Sequence, residues 1–135
     1  GLVSAVGDLV SFWRARRPDI AFELTMPTDD TAFGIGVREA LYRVAQEALS
    51  NAVRHGAPSR ISVEIAAPQG ATAILRVTDN GMAADHPGGR PRFGLTGMRE
   101  RVSALGGELA IDQGIGQGWT VAARIPLRLN ESLSA

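Results

Sequence analysis

The sequence predicts a two-layer α/β sandwich, a mixed β-sheet with its helices packed on one face. Three observations lead there. The element signals run helix, strand, helix, two strands, helix, two strands. The strand segments alternate apolar and polar residues, so each has one face for a core and one for solvent. Finally, 135 residues with no internal repeat and no internal boundary suit a single domain spanning 1–135.

The elements follow in order. Leu2, Val6, Leu9, Val10 and Trp13 recur at helical spacing over residues 2–15, and "RRPD" breaks that helix. "IAFELTMP" reads as a strand closed by a proline, completing an N-terminal unit over 1–35. A long helix runs from about Gly36 to His55 and stops at "GAPS", a glycine with a proline just beyond it. "RISVEIAA" turns Ile61, Val63 and Ile65 inward, "PQG" makes a turn, and "ATAILRVTD" turns Ala73, Leu75 and Val77 inward. "NGMAADHPGGRPRFG" has no periodicity and reads as a loop. Leu95, Met98, Val102 and Leu105 share one face of the last helix, which "GG" ends. "ELAID" and "WTVAARIPL" close the chain as a strand pair around "QGIGQG", and the tail 130–135 is expected to fray.

Bulk composition narrows the function. Fourteen basic and 14 acidic residues give zero formal charge, so no chain-wide field recommends nucleic acid or an anionic membrane as partner. Cysteine is absent, and His55 and His86 are the only histidines, which argues against thiolate or multi-histidine metal centres. No apolar run approaches the ~20 residues that span a bilayer, and no signal peptide opens the chain. The expectation is a cytoplasmic domain cut from a longer protein. No glycine-rich GxGxxG opens a βαβ unit, and there is no GxxxxGK followed by Ser or Thr.

Two polar residues stand where packing would place hydrocarbon. Each fourth residue of a helix drifts about 40° around the axis. Arg43, Glu47, Asn51 and His55 therefore form a slanting stripe that enters the apolar arc of Val37, Ala40, Leu41, Val44, Ala48 and Ala52. Asn51 either bonds a loop carbonyl, with Glu47 paired to Arg43, or stands with Glu47 on the wall of a ligand site. Both are oxygen donors that Mg²⁺ accepts beside phosphates and water. Asp79 ends the inward series Leu75, Val77, Asp79. It either makes an Asx-turn with its own backbone or offers a carboxylate to an amino group in an apolar pocket. Gly94 and Gly97 bracket the start of the last helix, where they shape a turn or bare an anion-binding N-terminus. Arg99 and Arg101, further along, read as a solvated face.

Taken together, four segments resemble the catalytic, ATP-binding domain of two-component sensor histidine kinases, the Bergerat fold. "EALSNAVRHG" is similar to the asparagine box, "DNG" to the first glycine box, "GLTGMRERV" to the second, and "GIGQGWTVAARIPL" to the closing strand pair. The Gly-Leu-x-Gly-Met-Arg-Glu-Arg run resembles the nitrate-sensor-like subfamily. The likeness covers roughly 36–127. Ala83 stands where the first glycine box commonly has glycine, and Trp119 follows Gly118 where threonine is common.

The resemblance implies ATP and Mg²⁺ as cofactors. Asn51 would hold the metal, with Glu47 as a further candidate ligand and a positioning group for the γ-phosphoryl. Arg54 and His55 would lie near the phosphates. Asp79 would accept from the adenine amine, Gly81 would let the backbone approach the base, and Gly94, Leu95 and Gly97 would offer amides to the phosphates. The implied activity is a protein-histidine kinase of two-component signalling. Its partners would be a phosphoacceptor histidine segment outside these residues and a response regulator. The kinase would be a membrane-associated sensor, this domain itself not entering the membrane. The alternatives are a Bergerat-fold ATP hydrolase using Glu47, or a degenerate nucleotide-site module that binds a partner.

Overall fold

Strand alternation decides which side of the sheet is covered. The computed structural model describes residues 1–28, 30–81, 94–113 and 118–127. In it Ile61, Val63, Ile65, Ala73, Leu75 and Val77 are all buried, as the alternation requires. The opposite face is polar: Arg76 pairs with Glu64 at 2.7 Å, Arg60 with Glu23, and the Thr78 and Thr120 hydroxyls lie 3.3 Å apart.

The elements are α1 (Leu2–Arg16), β1 (Ala21–Thr25), α2 (Ile35–His55), β2 (Arg60–Ala66), β3 (Thr72–Asp79), α3 (Leu95–Ala104), β4 (Glu108–Gln113) and β5 (Trp119–Pro126), with a 3-10 turn at Pro68–Gly70. The five strands form one sheet in the order β1-β2-β3-β5-β4. Only β1 and β2 are parallel, and α2 is the crossover that a parallel pair needs. This is the expected mixed sheet and its helical layer. Among the described residues, no helix is long and apolar enough to cross a membrane. The 82–93 loop with Ala83, His86, Arg90 and Arg92, the centre of "QGIGQG", and the tail 130–135 lie outside the described residues.

The central helix is covered more widely than its apolar arc suggests. Ala45, Leu49 and Val53 are buried along with the expected Val37, Ala40, Leu41, Val44, Ala48 and Ala52. The reason is α1, which seals the flank of α2 away from the sheet with Leu2, Val6 and Val10. Each fully buried Leu or Val contributes roughly 1.5–3 kcal/mol, so this second contact surface is a large part of the core. Two arginines tie α1 down: Arg14 Nη2 donates to the Phe22 carbonyl at 2.9 Å, and Arg17 Nη1 to the Val53 carbonyl at 3.3 Å.

The first turn of α1 is capped from a distance. Asp30, only 8% exposed, accepts from the Val3 N–H through Oδ2 at 3.0 Å. Burial alone would raise its pKa. The N–H groups of Val3 and Leu2, with Arg38, outweigh that and hold it below the usual carboxylate range. A depressed folded-state pKa means stability that is present above the unfolded value near ~3.9 and lost as pH falls through the folded one. Asp30→Asn is therefore expected to cost about 1 kcal/mol at pH 7. It should also flatten the loss of stability on acidification below pH ~4. Urea titrations at pH 7 and pH 3 check both; an equal cost at the two pH values would contradict the capping role.

Candidate functional site

The stripe on α2 runs exposed at Arg43, half-buried at Glu47, buried at Asn51 and half-buried again at His55. Asn51 is 7% exposed. The 40° drift thus carries the amide under cover.

Asp79 ends β3 at 5% exposure, with Ile61 of β2 and Trp119 of β5 as register partners on either side. Its Oδ1 accepts from the Gly81 N–H at 2.9 Å. The Asx-turn is therefore present. What the turn does is orient the carboxylate.

Gly81 is buried against the end of α2. A β-carbon built on it would lie 2.6 Å from the Gly56 carbonyl carbon and nearer still to the oxygen. Only glycine permits that approach. From the other side, the Gly118 N–H donates to the Gly81 carbonyl at 3.0 Å. The end of α2, the exit of β3 and the entry of β5 meet at this one residue.

Gly94 opens α3 at φ 81°, left-handed backbone that glycine takes readily. A β-carbon there would sit 2.6 Å from the Glu47 carboxyl carbon. The Glu47 carboxylate thus lies at the α3 N-terminus, where the helix dipole favours negative charge. The Leu95 side chain is buried in the core, which leaves its backbone amide as the group a ligand can meet. Gly97 is exposed, with nothing within 4 Å of a built β-carbon.

Arg54 is placed elsewhere. It is exposed and lines a surface cavity of about 510 Å³ between α1 and α2 with Phe12, Trp13 and Tyr42. Three residues beyond Asn51 is 300° of helical turn, which carries Arg54 to the α1 side. Neither this cavity nor its neighbour of about 510 Å³ near Arg38 and Arg101 is lined by Glu47, Asn51 or Asp79.

The donor set bears on a metal. Among the described residues, no three His, Cys, Asp or Glu side chains gather into a cage. Asn51 and Glu47, one helical turn apart, are hard oxygen donors, a pair suited to Mg²⁺ that takes its other ligands from phosphates and water. Sequence reasoning missed Asn80, Gly56 and Gly118. The turn-forming "DNG" was the only local signal of the first, since its partners stand about twenty residues away.

Comparison with known proteins identifies the family. The family described as "Histidine kinase-, DNA gyrase B-, and HSP90-like ATPase" matches residues 36–129. The chain is 36% identical over 114 residues to the signal transduction histidine-protein kinase/phosphatase DegS of Bacillus subtilis (strain 168), covering 82% of this chain and 29% of that protein. It is 35% identical over 127 residues to the corresponding kinase/phosphatase UhpB of Salmonella typhimurium (strain LT2), covering 94% and 25%. It thus spans about a quarter to a third of the length of these relatives. Its fold is similar to that of the histidine kinase domain of the Erythrobacter litoralis blue-light activated histidine kinase, at a TM-score of 0.77 and 23% identity over 98% of this chain and 64% of that one. By the family match over most of its length and by these relatives, the chain belongs to the histidine kinase-, DNA gyrase B- and HSP90-like ATPases.

Proposed function

We propose that residues 1–135 act as one domain, the ATP-binding kinase domain of a two-component sensor histidine kinase. It binds Mg·ATP and donates the γ-phosphoryl group to a histidine on a separate phosphoacceptor segment, from which a response regulator receives it. The domain works in the cytoplasm, as part of a membrane-associated sensor. The names of DegS and UhpB support the kinase assignment.

One observation carries the reading. The buried polar side chains among the described residues are Asp30, Asn51 and Asp79. Asp30 is occupied in capping α1. Asn51 lies one helical turn along α2 from Glu47, whose carboxylate meets the start of α3, and Asp79 ends β3 beside Gly81.

Asp79 accepts from the adenine amine, and Gly81 lets the base approach the backbone. The amides of Gly94, Leu95 and Gly97 receive phosphate oxygens. Glu47 already places a negative charge at the same helix N-terminus, so phosphates there need a cation between the two anions. Asn51 and Glu47 are the residues that would hold it. Bound Mg²⁺ supplies neutralisation of the phosphate charge. Phosphoryl transfer depends mainly on positioning and charge stabilisation, so Asn51 and the α3 amides matter more than a strong base. Arg54, on the α1 side, has no part in this assignment.

Asn51→Asp tests the reading. A second carboxylate beside Glu47 changes the charge and coordination offered to Mg²⁺, and the fold should be unchanged. Calorimetry is expected to show Mg·ATP affinity lowered by roughly tenfold or more, on the scale of a lost charged contact. Wild-type affinity in the variant would reduce Asn51 to a packing residue.

A further inference from the structure

Asn80 follows the base-reading carboxylate and has no assigned part in binding. Its side chain is exposed yet heavily engaged. Oδ1 accepts from the backbone N–H groups of both Ser59 and Arg60, each at 2.9 Å. Nδ2 donates to Ser59 Oγ at 2.9 Å, and the Asn80 N–H donates to the Arg60 carbonyl at 3.2 Å. Four bonds fasten this residue to the turn between α2 and β2.

That turn needs fastening. Gly56 ends α2 in right-handed backbone at φ −93°, and the left-handed position falls on Ala57 at φ 46°. A residue with a β-carbon holds that conformation only when its surroundings impose it. Upstream of Ala57 the Gly56 carbonyl abuts Gly81, and downstream Ser59 and Arg60 are held by Asn80. Any shift of the turn therefore presses on Gly81, whose N–H fixes Asp79 Oδ1.

We propose that Asn80 is a positioning residue for base recognition: by locking the 56–60 turn to the end of β3 it sets the angle of the Asp79 carboxylate and so the preference for ATP over GTP. This rests on Asp79 as the base reader. The side chain is exposed, so its removal opens no hole in the core, and lost packing does not account for a change in selectivity.

The test is competition titration of ATP against GTP on the 135-residue chain, with thermal melts in parallel. Asn80→Ala is expected to cut a wild-type preference of about tenfold to about twofold. Asn80→Asp keeps an oxygen that accepts both N–H groups, and the Ser59 hydroxyl can rotate to donate to it. It should restore the preference even where the added charge weakens both nucleotides alike. Ser59→Ala, which removes one bond of the four, gives the smaller narrowing and serves if Asn80→Ala does not fold. Unchanged selectivity in the folded variants, or loss without rescue by Asn80→Asp, overturns the proposal alone. Equal affinities for the two nucleotides in the wild type overturn the Asp79 reading and this proposal with it.

Discussion

Replacing Gly81 by alanine is expected to cost about 3 kcal/mol and to abolish nucleotide binding. The added methyl would press into the Gly56 carbonyl, a backbone group at the end of a buried helix that cannot swing aside as a side chain does. Overpacking in a close-packed region costs typically about 1–3 kcal/mol, and backbone displacement puts this case at the upper end. For a domain of this size the melting temperature should fall by on the order of 10 °C. Gly97→Ala is the matched control. Nothing lies within 4 Å of a β-carbon there, and the position is inside α3. Helix propensity then favours alanine by roughly 0.8–1 kcal/mol, so stability should hold or rise. ATP affinity should nevertheless fall, because the methyl crowds amides assigned to the phosphates. If Gly81→Ala melts like the wild type, the contact between α2 and β3 does not constrain the site.

Asp79→Asn is expected to weaken ATP and to narrow its advantage over GTP. The ionised carboxylate only accepts hydrogen bonds, and adenine presents an amino group where guanine presents a carbonyl oxygen. With GTP two acceptors would face each other under cover, since Asp79 is buried between Ile61 and Trp119. A hydrogen bond to a charged group is worth roughly 1.5–3 kcal/mol, which sets the wild-type preference at about tenfold or more. An asparagine can rotate its amide to offer a donor to guanine. Competition binding on wild type and variant decides the matter, with circular dichroism to show an unchanged fold. A variant that keeps the full preference would remove Asp79 from base reading.

Much of this architecture was legible in the residues. Strand parity put Ile61, Val63, Ile65, Ala73, Leu75 and Val77 inside, and continued to Asp79. The four-residue drift along α2 took Asn51 under cover. Both patterns are local and repeat, so a short window reveals them. The cover over Ala45, Leu49 and Val53 was not legible, because it depends on which flank of α2 receives α1. Asp30 reaching Val3, Asn80 reaching Ser59 and Arg60, and Gly81 meeting Gly56 are single contacts between distant positions. They follow no period, and only the assembled sheet brings them together. Arg54 shows the converse. The resemblance put it near the phosphates beside His55; in the structure it is exposed and lines the cavity between α1 and α2.

The pairing of Asp79 with Trp119 across neighbouring strands, sealed by the Gly118 to Gly81 bond, makes residues 82–117 an excursion that leaves and returns at one point. Entropy of closure grows slowly with loop length, about 0.6 kcal/mol for each doubling. Residues added or removed ahead of α3 therefore leave the register of β3 and β5 untouched. Heritable variation can thus change the length of the chain between Gly81 and Gly94 while the pairing of β3 with β5 stays fixed. An engineer can do the same, grafting a foreign segment between Gly81 and Gly94 without redesigning the sheet that joins at these two ends.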